Sequence, residues 1–139
     1  DGLQGAGLVE DHPKKRAYMA RLIAHEMAHL WQLNLTRGGI GNDDPWVHEG
    51  GAEAIALEAL RATGLFTEEA SDRYAQELLK ECEDLNDDMN VNRALYACGF
   101  KRFHHYAIAP VPLWRAMMAR SESSGAFYSE SMIRDILQP

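Results

Sequence analysis

The chain has 139 residues, of which 46% are hydrophobic and 25% are charged. This composition is ordinary for one globular domain and excludes fibrous, collagen-like and disordered classes. The formal net charge of -7 argues against nucleic acid as a partner. The sequence contains no run of about 18 uncharged apolar residues, so it predicts no membrane span.

Helical periodicity dominates the chain and no segment alternates like a strand, so we expect an all-α fold of about six helices. The segment 36–44 is a loop by composition. The predicted helices, in chain order, are Pro13 to about Asn34, Asp44–Pro45 to near Gly64, Thr67 to about Leu85, Asn90 to about Ala107, Pro112 to about Ser121, and Ser129 to Leu137.

The chain ends and the cysteines bear on its organisation. We expect residues 1–139 to form one helical domain, which is compatible with a fragment of a longer protein. The chain opens at Asp1 without an initiator Met, as a processed, exported protein would, and the compartment and oligomeric state stay open.

Cys82 and Cys98 both fall in predicted helices. We expect them to be small buried apolar residues, with one disulfide as the alternative.

The segment RLIAHEMAHLWQL, residues 21–33, contains an H-E-x-x-H motif. His25 and His29 are four residues apart, so both imidazoles lie on one face of a helix and reach one ion. In this motif two histidines bind Zn²⁺, and the carboxylate of Glu26 takes a proton from the water that the metal activates. The alternative is a pair of core histidines beside an exposed Glu26. Against it, apolar neighbours leave little polar face on this helix.

A hydrolytic zinc site needs a third protein ligand. The metzincin pattern requires Gly at 32 and His at 35, whereas this chain has Gln32 and Leu35. Glu49, in PWVHEGGAEA, is the remaining candidate, although an acid near a helix start also favours the helix dipole.

Two features surround this candidate ligand. Gly50 and Gly51 are costly in a helix unless another backbone or a substrate comes close. Glu53, one turn beyond Glu49, could accept a hydrogen bond from a zinc-bound histidine or be plain surface charge.

These residues resemble the gluzincin metallopeptidases, and within them the aminopeptidase N-like group with its glycyl aminopeptidase relatives. In that group the ligand Glu follows H-E-x-x-H after eighteen residues, in a W-x-x-E-G-x-A-E-like segment. HEMAHLWQL and WVHEGGAEA match both ends, with nineteen residues between His29 and Glu49. His48 stands where the family usually has Asn, Asp or Ser, and it could contend for the metal; we prefer Glu49.

The resemblance extends to LYACGF, residues 95–100, where Tyr96 and Gly99 keep a Tyr-x-x-Gly frame. It implies that Tyr96 hydrogen-bonds the oxyanion of the tetrahedral intermediate. The alternative is a helix tyrosine that packs its ring. His104 or His105 could supply a second donor, but we expect both to be surface histidines.

The resemblance implies the C-terminal helical half of a thermolysin-like catalytic domain. The G-x-M-E-N-like strand that binds a substrate amino terminus in the aminopeptidases is absent from residues 1–24. The choice between exopeptidase and endopeptidase activity therefore stays open.

The resulting prediction is zinc-dependent hydrolysis of peptide bonds in a peptide or protein substrate. Two alternatives remain. One is a non-catalytic helical binding domain of the same ancestry that keeps zinc for stability. The other is a metal-free helical interaction domain whose histidines belong to the core.

Overall fold

The computed structural model describes residues 12–33 and 44–138. These residues form six α-helices and no strand, which confirms the all-α prediction. None of these helices combines the length and apolar character that crossing a bilayer requires. In chain order the helices are α1 (Pro13–Trp31), α2 (Pro45–Ala62), α3 (Glu68–Asp84), α4 (Asn92–His105), α5 (Pro110–Ser124) and α6 (Glu130–Leu137).

The starts of α3 and α6 follow from local sequence signals. Thr67 Oγ1 accepts a hydrogen bond from Ala70 N (3.0 Å), and Ser129 Oγ accepts one from Met132 N (3.1 Å). Both caps satisfy amides that have no partner within the first helical turn. These two predicted caps are confirmed.

Other boundaries differ from the prediction. α1 ends at Trp31, and the predicted loop at 36–44 lies almost entirely outside the described residues. α5 begins at Pro110, two residues earlier than predicted. α2 begins at Pro45 as expected, but Asp44 does not cap it. Its carboxylate instead accepts a hydrogen bond from Glu130 N at the start of α6 (2.9 Å), so a tertiary contact replaces the local cap.

α2 is the central helix of the fold. It packs most extensively against α4 and α1, and it also contacts α5 and α3. Its small residues are largely buried, including Ala52, Ala54 and Ala56, which lets the neighbouring helices come close. Trp114 and Ile133 lie in the core, and Met118 and Leu137 pack at its edge. Because α2 contacts both α1 and α4, it can bring residues of these two helices into one site.

Cys82 on α3 and Cys98 on α4 form a disulfide. The expectation of two free buried thiols is therefore wrong. The two half-cystines are 16 residues apart in sequence, and the packing of α3 on α4 places their Cα atoms 4.9 Å apart. The disulfide anchors α4 two residues beyond Tyr96.

α1 exposes much of its apolar surface. It buries His25 and Ala28 and turns a row of large apolar side chains to solvent. Ile23 is 55% exposed, Met27 63% and Leu30 76%. An exposed apolar surface of this kind is typical of an interaction or binding face.

Candidate metal centre

Three side chains from α1 and α2 converge on one point. His25 Nε2 lies 3.1 Å from Glu49 Oε2, and His29 Nε2 lies 3.2 Å from the same oxygen. The two imidazoles are edge to face, with centroids 4.6 Å apart. The structure thus brings together the three metal ligands that the sequence predicted.

The spacing of these atoms suits a tetrahedral ion. Two ligand atoms that each lie about 2.0–2.1 Å from a tetrahedral zinc ion are about 3.3 Å apart. The two His–Glu separations are close to that value, and all three ligand atoms lie within 4.8 Å of one another. Two imidazoles and one carboxylate are also the donor set of open, catalytic zinc sites.

The other ring nitrogens strengthen the fit. His25 Nδ1 lies 3.2 Å from Glu53 Oε1, and His29 Nδ1 lies 2.9 Å from Gln32 Oε1. Without a cation, His29 could donate to Glu49 Oε2 from Nε2 and to Gln32 Oε1 from Nδ1 only if its ring carried two protons. A cation that bound the three converging atoms would leave one proton per ring, on Nδ1, where Gln32 accepts it from His29 and the Glu53 carboxylate lies beside it at His25.

Electrostatics reflect the same convergence. Burial lowers the pKa of His25, but its contacts with Glu49 and Glu53 outweigh burial and raise that pKa to about 9. Burial raises the pKa of Glu49, but its contacts with His25 and His29 prevail and lower that pKa to about 2. In the absence of an ion, the positive charge of His25 and the negative charges of Glu49 and Glu53 therefore stabilise one another.

Glu53 is held by more than His25. Tyr74 on α3 donates a hydrogen bond to its second oxygen, and the guanidinium of Arg21 stacks over the Tyr74 ring at 4.0 Å. Burial raises the pKa of Glu53, but the contacts with His25 and Tyr74 outweigh it and lower that pKa. Glu53 is thus largely buried and lies within ion-pair distance of His25 Nδ1. The sequence offered no signal for Tyr74.

Glu26 lies on the exposed side of α1. It borders a shallow cavity of about 380 Å³ whose other lining residues are Leu22, Ile23, Met27 and Leu30. Its position next to His25 in the helix points it away from the core and toward solvent.

Tyr96 on α4 lies half-buried beside the converging ligands. Its ring stacks on that of His25 at 5.6 Å, and Arg93 covers it at 4.9 Å. Burial raises the pKa of Tyr96, and the carboxylates of Glu49 and, more weakly, Glu26 raise it further. The phenol therefore faces the same region as both carboxylates.

The two glycines of α2 lie at close contacts with other parts of the fold. A Cβ on Gly50 would lie 2.2 Å from the carbonyl carbon of Gly99, so the backbones of α2 and α4 touch at this point. A Cβ on Gly51 would lie 2.5 Å from the Trp114 ring. The close approach is thus to another backbone and to a core side chain.

The remaining histidines lie elsewhere. His48 is buried against Tyr128 and Trp114, with ring centroids 5.5 and 6.0 Å away, and its side chain does not join the cluster of ligands. His104 and His105 are exposed, as expected.

A second group of candidate metal ligands, Cys82, Asp87 and Cys98, is explained by the disulfide. Both sulfurs are bonded to each other and so are not free thiolates. Among the described residues, the group formed by His25, His29 and Glu49 is the one with a donor set available for a metal ion.

Comparison of this chain with models of known protein families, with curated proteins and with solved structures gave no match. The functional assignment therefore depends on the geometry of this centre and on the motif resemblance.

Proposed function

We propose that this chain is a zinc-dependent peptidase domain in which His25, His29 and Glu49 hold Zn²⁺. The observation that carries the proposal is the convergence of both Nε2 atoms on one Glu49 oxygen while each Nδ1 faces another side-chain oxygen. This arrangement suits neutral imidazoles that bind a cation through Nε2.

When bound, zinc would supply a Lewis acid that activates water at neutral pH. Glu26 accepts the proton of the attacking water and delivers it to the leaving amine. Tyr96 donates a hydrogen bond to the oxyanion, an interaction that is stronger in the transition state than in the ground state.

The surroundings of Glu26 support a peptide substrate. The base is reachable from solvent, and apolar side chains line the cavity beside it. A peptide bound along this face of α1 would bury apolar side chains next to the scissile bond. Burial raises the pKa of Tyr96, the Glu49 carboxylate raises it further, and Glu26 adds a smaller increase.

Replacement of the base tests the proposal. The Glu26→Gln variant keeps the three ligands, so we expect it to retain zinc and to lose cleavage of an unstructured peptide mixture. Glu122→Gln, an exposed acid on α5, is the matched control and should cleave like the unchanged protein. Undiminished cleavage by Glu26→Gln would contradict the role given to this residue.

A non-catalytic binding domain that keeps zinc for stability is the second candidate. The exposed apolar residues of α1 favour it, because such a face also suits a protein partner. A structural site has no use for a base beside the metal. Zinc-loaded protein that cleaves no peptide, with or without Glu26, would support this candidate instead.

A further inference from the structure

Gln32 occupies an unusual position for a polar side chain. It is completely buried (0% exposed) at the C-terminal end of α1, three residues after His29. Residues three apart on a helix lie on the same face, so its amide can reach the imidazole. A buried amide is costly unless its polar atoms have partners, and both ends of this one do.

The partners determine the orientation of the amide. Gln32 Nε2 lies 3.2 Å from the backbone oxygen of His48, which only accepts hydrogen bonds, so the NH₂ group must face it. The amide oxygen must then face His29 Nδ1, which is 2.9 Å away. Because that oxygen also only accepts, His29 must carry a proton on Nδ1, and its Nε2 lone pair is available on the side of Glu49.

We propose that Gln32 is a positioning residue that fixes the tautomer and orientation of His29 for metal binding. This inference rests on the proposed function. The same amide holds the carbonyl of His48, the residue before Glu49, and so links the ligands from α1 and α2. At His25 the corresponding ring nitrogen, Nδ1, lies 3.2 Å from a carboxylate oxygen of Glu53.

Two substitutions separate the functions of the amide. Gln32→Met keeps the shape and removes both hydrogen bonds, whereas Gln32→Glu keeps the acceptor for His29 and removes the amide donor to His48. By competition with a chelator, we expect Gln32→Met to weaken zinc binding by about 10–100-fold, the usual effect of losing such a partner. Gln32→Glu should bind zinc more tightly than Gln32→Met, because its carboxylate still accepts from Nδ1.

Ser121→Ala is the matched control. Ser121 is also completely buried and donates to the carbonyl of Ala126, far along the chain on α5. We expect this variant to lose stability and to keep its zinc affinity. The proposal is overturned if folded Gln32→Met binds zinc as tightly as the unchanged protein, or if Gln32→Glu loses as much affinity as Gln32→Met.

A second measurement needs neither metal nor a folded variant. In the ion-free protein, NMR should show a slowly exchanging Hδ1 proton on His29, since Gln32 accepts from it whether or not the ring is charged. Absence of this proton from the unchanged protein would overturn the role of Gln32. If the proton is present but the protein binds no zinc, the proposed function fails while the hydrogen bond from His29 to Gln32 stands.

Discussion

The contact between Gly50 on α2 and Gly99 on α4 is the most demanding steric feature of the site. A Cβ added to Gly50 would lie 2.2 Å from the carbonyl carbon of Gly99 and 2.4 Å from its Cα. Both atoms belong to backbone, so no side chain can move aside. In a Gly50→Ala variant α4 would have to retreat by about 1.3 Å to reach a normal carbon–carbon separation of about 3.5 Å.

Two opposing effects set the stability of Gly50→Ala. Alanine in place of glycine within a helix contributes roughly 1 kcal/mol. Overpacking of a core costs about 1–3 kcal/mol, and a contact between two backbones belongs at the upper end of that range. We therefore expect the free energy of unfolding to fall by about 2 kcal/mol.

The effect on cleavage should be larger than the effect on folding. Tyr96 lies about one turn before Gly99, so a retreat of α4 draws its phenol away from Glu49. A displacement of about 1 Å in a catalytic group can lower the rate on the order of 100-fold. We expect Gly50→Ala to remain folded, to keep its zinc, and to lose cleavage by about that factor.

Urea denaturation and peptide cleavage, measured on the same preparations, check this prediction. Gly51→Ala is the matched control, because its Cβ would meet the Trp114 ring and not α4. It should lose stability without a comparable loss of rate. The reasoning is refuted if Gly50→Ala cleaves and unfolds like the unchanged protein, or if the cleavage rates of Gly50→Ala and Gly51→Ala fall by the same factor.

Three further predictions concern other parts of the molecule. In ion-free protein the pKa of His25 is raised from 6.5 to about 9. The protonated ring therefore stabilises the fold by roughly 3 kcal/mol below about pH 6.5, and this stabilisation is lost as the pH rises through about 9. Urea midpoints should fall across this range, and a flat profile would contradict the charge pairing. Tyr96→Phe should lower kcat by about 100–1000-fold with zinc content unchanged, and steady-state kinetics with unaltered kcat would remove Tyr96 from the mechanism. The double variant Cys82→Ala/Cys98→Ala should have a free energy of unfolding about 3 kcal/mol lower, since the disulfide closes a loop with a sequence separation of 16. Equal urea midpoints for the variant and the unchanged protein under oxidising conditions would refute this.

Local signals in the sequence predicted most of the helices. Thr67 and Ser129 are caps whose partners lie three residues away, so their neighbours in the chain suffice to identify them. Asp44 has the same local signal, but it bonds to Glu130, 86 residues away. A choice between a local and a distant partner depends on the packing of α6, which the sequence around Asp44 does not contain.

In the site, too, local sequence features were predictable and features that depend on helix packing were not. The spacing of His25 and His29 on one helix predicts that they lie together. The start of the next helix offered Glu49 as the third ligand, and the motif resemblance added Tyr96. The contact of Gly50 with Gly99 and the disulfide depend on how α2, α3 and α4 pack, so residue types alone did not predict them. Gln32 did carry a signal, because it is polar, lies three residues after His29 and falls within an apolar run.

The exposed face of α1 was the least accessible to sequence reasoning. Apolar residues surround His25 and His29 in the sequence and leave little polar face on the helix. The structure instead buries the His25 side against α2 and exposes Ile23, Met27 and Leu30. Hydrophobic composition alone does not show which side of such a helix packs on its neighbours.

The most direct test of the zinc centre is the metal content of protein purified without added zinc. Elemental analysis should find close to one zinc per chain, and His25→Ala should lose it because that substitution removes one of three protein ligands. A zinc content well below one per chain, unchanged by His25→Ala, would contradict the proposed metal centre and the peptidase function with it.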